Sequence, residues 1–165
     1  MKKEMFSTEI SILRDTFRRL LRRHAKTNII KLIDKTHPAD MALIFRYFND
    51  SEQDTVFAMM RPSEKTVEFL NELDEAITIR IVENETPSRI AEILEEASSN
   101  EQAYLMGLVE ETYAASVIDL FKAEEQEELE EMMAYPEDSA GILMYTDVFT
   151  LHEETRAKEA IAALQ

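Results

Sequence analysis

Apolar residues recur three and four positions apart along most of the chain, which is the spacing of an amphipathic α-helix. Only two Gly and four Pro interrupt this pattern, too few for an all-β chain with many tight turns. We therefore predict an all-α fold as far as residue 144, built from eleven short helices. Their predicted bounds are 8–24, 26–35, 38–49, 52–60, 62–73, 75–84, 87–98, 101–110, 112–122, 124–135 and 137–144.

The prolines reveal an internal repeat, because Pro38, Pro87 and Pro136 lie 49 residues apart. Matching residues follow them at three positions: Ala42, Ala91 and Ala140; Ile44, Ile93 and Ile142; Phe45, Leu94 and Leu143. Proline suits the first turn of a helix, where its missing N–H would have no partner. We expect all four prolines to mark helix starts, and the chain to form helix-pair repeats of about 49 residues that stack as a solenoid.

The pattern changes after Met144. Residues 146–152 alternate β-branched and aromatic side chains, which predicts a strand, and 154–164 follows as a helix. A lone strand leaves its backbone groups unpaired. We therefore expect this tail to open an α/β domain that the chain does not complete, and the chain to be part of a longer polypeptide.

Charge is unevenly distributed along the chain. Residues 1–35 hold ten Lys and Arg against four acids, a charge of +6. The net charge of the whole chain is −16, so residues 36–165 carry a charge of −22. That balance argues against nucleic acid as a partner and favours cations. The first helix is basic and amphipathic. It either contacts anionic lipid headgroups or another acidic surface, or it is an ordinary packed helix with a solvated charged side.

Two stretches resemble the cytosolic N domain of MgtE-type magnesium transporters. They are Thr36–Ala42 (THPADMA) and, more specifically, Tyr135–Met144 (YPEDSAGILM). The resemblance implies a right-handed superhelix of short helices over residues 25–144, preceded by a basic helix at 1–24. Residues 145–165 would be the truncated start of a CBS domain.

The resemblance also implies a regulatory role rather than a pore. In that family, Mg²⁺ held between the N domain and the CBS domains keeps the channel closed, and the N domain swings away when the ion is scarce. The implied partners are the CBS and membrane domains of a homodimeric parent protein on the cytoplasmic side of a bacterial membrane. Mg²⁺ binding by this chain alone is expected to be weak or absent.

Glu64, Glu68 and Glu72 are spaced four residues apart, so they share one face of a predicted helix. The resemblance places Glu68 at a Mg²⁺-binding position of the CBS interface and the next such position at Asn100, where Glu101 is adjacent. We expect Glu68 and Glu101 to bind metal, with Glu64, Glu72 and Asn100 as neighbours. The alternative for the glutamates is a solvated face.

A denser acidic run, Glu124–Glu131, is interpreted as the wet side of an amphipathic helix. We also expect Ser51 to cap the helix that follows it, and His37 to form part of a helix start.

Nothing in the sequence indicates catalysis. The chain has no Cys, no glycine-rich phosphate loop, and three widely separated His, so we expect a non-enzyme. A helical scaffold that binds another helix without a metal, similar also to the middle region of flagellar motor-switch proteins, is the alternative function. Nucleotide binding, known for CBS domains generally, is not expected of this chain.

Overall fold

The computed structural model describes residues 2–135, 139, 151–152 and 155–163, without the side chains of 2–8, 130 and 163. Every regular element in this part of the chain is a helix, which confirms the all-α prediction. The helices are α1 (Lys2–Arg22), α2 (Lys26–Lys35), α3 (Pro38–Phe45), α4 (Asp50–Phe57), α5 (Glu64–Asn71), α6 (Glu75–Glu83), α7 (Pro87–Leu94), α8 (Ser99–Leu108), α9 (Glu111–Ile118), α10 (Ala123–Met133) and α11 (Ala157–Ala163).

Two predictions concern residues that are only partly described. The predicted helix 137–144 and residues 146–150 of the predicted strand lie outside the described residues. Leu151 and His152, at the end of that strand, belong to neither a strand nor a helix. The helix α11 lies within the predicted 154–164.

The prolines open helices at two of the described positions. Pro38 and Pro87 are the first residues of α3 and α7, as the repeat predicted. Pro62 is not part of a helix, because α5 begins at Glu64. The prediction that every proline starts a helix is therefore wrong for Pro62.

The caps at the starts of α3 and α4 also differ in outcome. His37 caps α3, and its Nδ1 accepts a hydrogen bond from the backbone N–H of Ala39 at 3.3 Å. The expectation that Ser51 caps α4 is wrong. Asn49 is the cap, because Glu52 stands three residues later and the two exchange side-chain-to-backbone hydrogen bonds of 2.9 and 3.1 Å.

The helices from α3 to α10 form four successive pairs whose first helices begin at residues 38, 64, 87 and 111, about 24 residues apart. The 49-residue period therefore spans two pairs. The first helices α3, α5, α7 and α9 pack one on the next, while α4 packs on α6 and α8 packs on α10. The result is a two-layered stack in which each pair buries its apolar side against its neighbours.

A polar side chain with the same role recurs in three successive pairs, and it is buried in the first two and half-buried in the third. On the second helix it donates a hydrogen bond to a carbonyl at the end of the first helix, where backbone acceptors lack helical partners. The bonds are Gln53 Nε2 to Phe45 O (2.9 Å), Thr78 Oγ1 to Leu70 O (3.2 Å) and Gln102 Nε2 to Leu94 O (2.8 Å). These bonds fix the turn within each pair.

Contacts between pairs follow a similar rule. Arg89, on α7, donates from Nη2 to two carbonyls at the end of α4. Tyr113, on α9, lies with its hydroxyl 2.7 and 3.1 Å from two carbonyls at the end of α6. The first helices α7 and α9 thus each bond to carbonyls at the end of the second helix that lies two pairs earlier in the chain.

An aromatic cluster joins the start of the stack to its middle. The rings of Phe45 and Phe69 meet edge-on with centroids 5.0 Å apart, and Phe17 of α1 lies 6.0 Å from Phe48. Phe17 is fully buried, and α1 packs on α2 and α3. The apolar side of the basic first helix is therefore part of the core, as the packed-helix interpretation expects.

Candidate functional site

The predicted metal-binding stripe lies on α5, a helix that buries one side completely. Thr66, Val67, Phe69 and Leu70 are buried between the neighbouring helices. The Thr66 hydroxyl donates to the carbonyl of Arg61 at 2.6 Å, which secures the turn leading into the helix. Burial of this side leaves the other side of α5 at the surface.

Glu64, Glu68 and Glu72 form the acidic stripe on that surface, and all three side chains are exposed. Successive members are about 6 Å apart along the helix axis, so the outer two are about 12 Å apart. No described residue forms an ion pair or a side-chain hydrogen bond with any of the three. Like charges at this spacing repel by a few tenths of a kcal/mol per pair.

The spacing decides what the stripe can do alone. A single ion cannot contact carboxylates spread over 12 Å, which is several times a metal–oxygen bond. Consistent with this, the described residues contain no group of three or more His, Asp or Glu that could hold a metal ion. A cation on the stripe would need its remaining ligands from water or from another domain.

Glu101 lies in the first turn of α8 and has a structural role there. Its Oε2 accepts from the Ser98 N–H at 2.9 Å and from the Ser98 hydroxyl at 2.8 Å, a capping box. Its Oε1 accepts from Nδ2 of Asn71, the last residue of α5, at 2.9 Å. The carboxylate therefore ties α8 to the end of α5 that carries Glu72.

Neither the Asn71 contact nor the Ser98 cap was predicted from the sequence. The spacing Ser98-x-x-Glu101 is a capping-box signature and could have indicated the second. Asn100, the neighbour expected to offer a neutral oxygen, is half-buried, and its Oδ1 is buried without a hydrogen-bond partner. The packing of α5 on α8 brings Glu101, but not a complete ligand set, to the acidic stripe.

The sequence model of the family described as "MgtE intracellular N domain" matches residues 36–138. The chain belongs to this family. The match includes all four helix pairs, so the acidic stripe of this MgtE N domain and both partners of the Asn71–Glu101 contact lie inside it. No curated protein sequence matches the chain at a significant level.

A solved structure described as "Crystal structure of the soluble part of a magnesium transporter" is similar in fold. The match has a TM-score of 0.73 at 16% sequence identity and covers 94% of this chain, which is more than the family range alone. The chain spans 61% of that structure's length. Of the helices described here, none is long and apolar enough to cross a membrane.

Glu124, Glu127 and Glu131 of the acidic run are exposed on α10 of this MgtE N domain. Leu129 and Met132 are buried, as expected of an amphipathic helix with a wet acidic side. Lys122 donates to Glu125 across 3.1 Å, and this hydrogen bond lowers the pKa of Glu125 and raises the pKa of Lys122. The α10 acids thus include one carboxylate that already has a cation beside it.

Proposed function

We propose that this chain is the intracellular Mg²⁺-responsive domain of an MgtE-type magnesium transporter, and that it regulates transport without enzymatic activity. The observation that carries the proposal is the acidic stripe, a row of exposed carboxylates without partners in a member of the MgtE N domain family. Three carboxylates in a row repel one another, and a cation relieves that repulsion. The stripe is therefore suited to a surface that closes onto a partner only when a cation is bound.

The proposed partner is a CBS domain of the same parent chain. Mg²⁺ keeps several waters and usually takes one or two carboxylates from a protein. Each of two facing domains therefore needs to supply only part of the ligands of one ion. In the proposal Glu68 binds the ion, and Glu64 and Glu72 strengthen the local negative potential. When Mg²⁺ is scarce, the stripe and an acidic partner surface repel, and the two domains separate.

Asn100 and Glu101 have a supporting place in this proposal. Glu101 has accepted three hydrogen bonds, which leaves about one free acceptor position on a carboxylate. We therefore assign it first to holding α8 against α5. A metal contact by Glu101 or by the unpartnered Asn100 oxygen is a secondary part of the proposal.

The remaining features of the proposal come from the family. The parent chain would continue into CBS and membrane domains and act as a homodimer at the cytoplasmic face of a bacterial membrane. The family is one of transporter domains rather than enzymes, which agrees with the wide separation of His24, His37 and His152 in sequence.

Calorimetric titration with Mg²⁺ tests the proposal on a chain extended through both CBS domains, at fixed ionic strength so that general screening stays constant. We expect saturable binding that Glu68→Gln weakens by about tenfold, or about 1.4 kcal/mol. The matched control is Glu127→Gln, which removes one exposed carboxylate from α10 and should leave the affinity unchanged. Equal affinities in the two variants would remove Glu68 from the site.

The same titration, together with a test of partner binding, distinguishes the magnesium proposal from the scaffold alternative. If the extended chain shows no saturable Mg²⁺ binding, and a protein partner remains bound in the presence of a chelator, the stack is a metal-independent interaction module. The acidic stripe would then be a solvated surface.

A further inference from the structure

The start of the stack carries a basic surface that the magnesium proposal does not use. We define the basic cap as the exposed cations of α1, of α2 and of the turn between them, which are Arg19, Arg22, Arg23, Lys26, Lys31 and Lys35. Because α1 packs its apolar side on α2 and α3, these side chains project away from the stack. The cap therefore lies at one end of the molecule.

Asp15 and Asp34, the acids of α1 and α2 nearest the basic cap in sequence, are each paired with a cation outside the cap. Asp15 forms an ion pair with Arg14 at 2.9 Å, and Asp34 lies 3.8 Å from Arg61. The only side-chain hydrogen bond made by a member of the cap to a described residue is from Arg22 to a carbonyl of its own helix. The positive charge of the cap is thus not neutralised within the described part of the chain.

The rest of the molecule limits which anionic partner can reach the basic cap. Residues 36–165 carry −22, so a long polyanion that extends beyond the end of the stack meets repulsion. A second copy carries the same net −16 and is repelled as a whole. A flat anionic surface can touch the end alone.

One further feature favours a bilayer as that surface. Ile12 is 62% exposed and lies seven residues before Arg19, on the same side of α1. An exposed apolar side chain beside a cluster of cations is typical of helices that lie in a membrane interface. Anionic headgroups attract such clusters, and the attraction falls within a Debye length of the surface.

We propose that the basic cap binds anionic phospholipid headgroups and holds the α1–α2 end of the stack against the membrane surface. The inference does not depend on the magnesium site, which lies on α5. It makes α1 a helix with two functions: its inner side completes the core, and its outer side is a lipid contact.

Vesicle flotation tests this with phosphatidylcholine vesicles that contain or lack phosphatidylglycerol. We expect the chain to bind only the anionic vesicles, with binding that salt abolishes. The triple variant Arg19→Gln, Arg23→Gln, Lys26→Gln should lower the partition coefficient by about 100-fold, from the energy that each basic residue contributes at an anionic surface. Circular dichroism and the thermal midpoint verify that the variant is folded.

The control changes the net charge equally at other exposed positions, with Lys122→Gln, Arg156→Gln and Lys158→Gln. It should bind anionic vesicles like the unmodified chain. Equal loss in both variants would mean that net charge, not the basic cap, governs binding and would overturn the proposal. So would failure of the unmodified chain to bind anionic vesicles at low salt, or salt-sensitive self-association in place of vesicle binding.

Discussion

Arg89 connects the third helix pair to the end of the first, and its replacement tests how the stack is held together. The side chain is 25% exposed, and its Nη2 donates to the carbonyls of Phe57 and Met60 at 3.0 and 2.8 Å. The guanidinium carbon lies 5.8 Å from the centroid of the Phe57 ring. Its Nε is also 3.3 Å from a carboxylate oxygen of Glu85, an ion pair.

The expected loss can be estimated from these contacts. Hydrogen bonds from a charged donor contribute about 1.5–3 kcal/mol each, but here one nitrogen serves both acceptors, so we count about 2 kcal/mol for the two together. The cation–π contact adds about 0.5–1 kcal/mol. The Glu85 ion pair is partly exposed and is not counted. Arg89→Met, which keeps an apolar stem, should therefore lower the free energy of unfolding by about 2.5–3 kcal/mol.

Urea denaturation followed by circular dichroism measures this loss as a shift of the midpoint at constant slope. Arg61→Met is the control, because Arg61 is 73% exposed and its ion pair with Asp34 is long, at 3.8 Å. This variant should lower the free energy of unfolding by no more than about 0.5 kcal/mol. Arg89→Lys should fall between the two, since an ammonium lacks the planar fork. A loss below about 1 kcal/mol for Arg89→Met would refute the view that these carbonyl contacts hold the pairs together.

Three further predictions concern other positions. Burial and the carboxylates of Glu85 and Glu83 raise the pKa of Tyr113 to about 12. The folded state therefore gains stability below about pH 10 that should be lost between about pH 10 and 12. Urea titrations across that range should show a smaller loss for Tyr113→Phe. Gly107→Ala should raise the free energy of unfolding by about 0.5–1 kcal/mol, because Gly107 lies within α8 and an added Cβ meets no atom within 4 Å; a lowered thermal midpoint would contradict this. Glu101→Ala should cost about 1 kcal/mol by removing the side-chain acceptor of the capping box, and an unchanged urea midpoint would remove its structural role.

Helix positions were predictable because apolar spacing and first-turn prolines act locally. The repeat length was predicted at twice the spacing of the pairs, since prolines open only alternate first helices among those described. Pro38 and Pro87 open α3 and α7, whereas Glu64 and Glu111 open α5 and α9. A proline pattern thus reports every second pair.

The contacts between helices were harder to predict, because they depend on which elements pack together. Nothing in the local sequence places Asn71 beside Glu101, thirty residues later. By contrast, Gln53, Thr78 and Gln102 recur about 24 residues apart, so the hydrogen bond that each donates to the end of the preceding helix left a readable signal in the sequence. Exposure of the acidic stripe and the distance of about 12 Å between its outer members were predictable from helical spacing. That the described residues contain no metal-binding group of three or more His, Asp or Glu was not predictable, because it depends on which helices pack together.

The charge of the chain makes one more prediction, on how salts affect its stability. With a net charge of −16, the folded chain repels itself, so sodium chloride should raise the thermal midpoint by screening. Divalent chlorides should raise it similarly at matched ionic strength. Because the three members of the acidic stripe cannot all contact one ion, Mg²⁺ should stabilise this chain no more than Ca²⁺ does.

Thermal unfolding in sodium, magnesium and calcium chloride at equal ionic strength measures the difference. A midpoint several degrees higher in Mg²⁺ than in Ca²⁺ would mean that this chain alone contains a selective site, since a ligand that binds only the folded state stabilises it by mass action. If Glu68→Gln abolished that excess, the site would be on the acidic stripe, and its ligands would then come from this chain and from water rather than from a second domain. Equal midpoints would leave the missing ligands to the partner surface, where the proposed closure requires them.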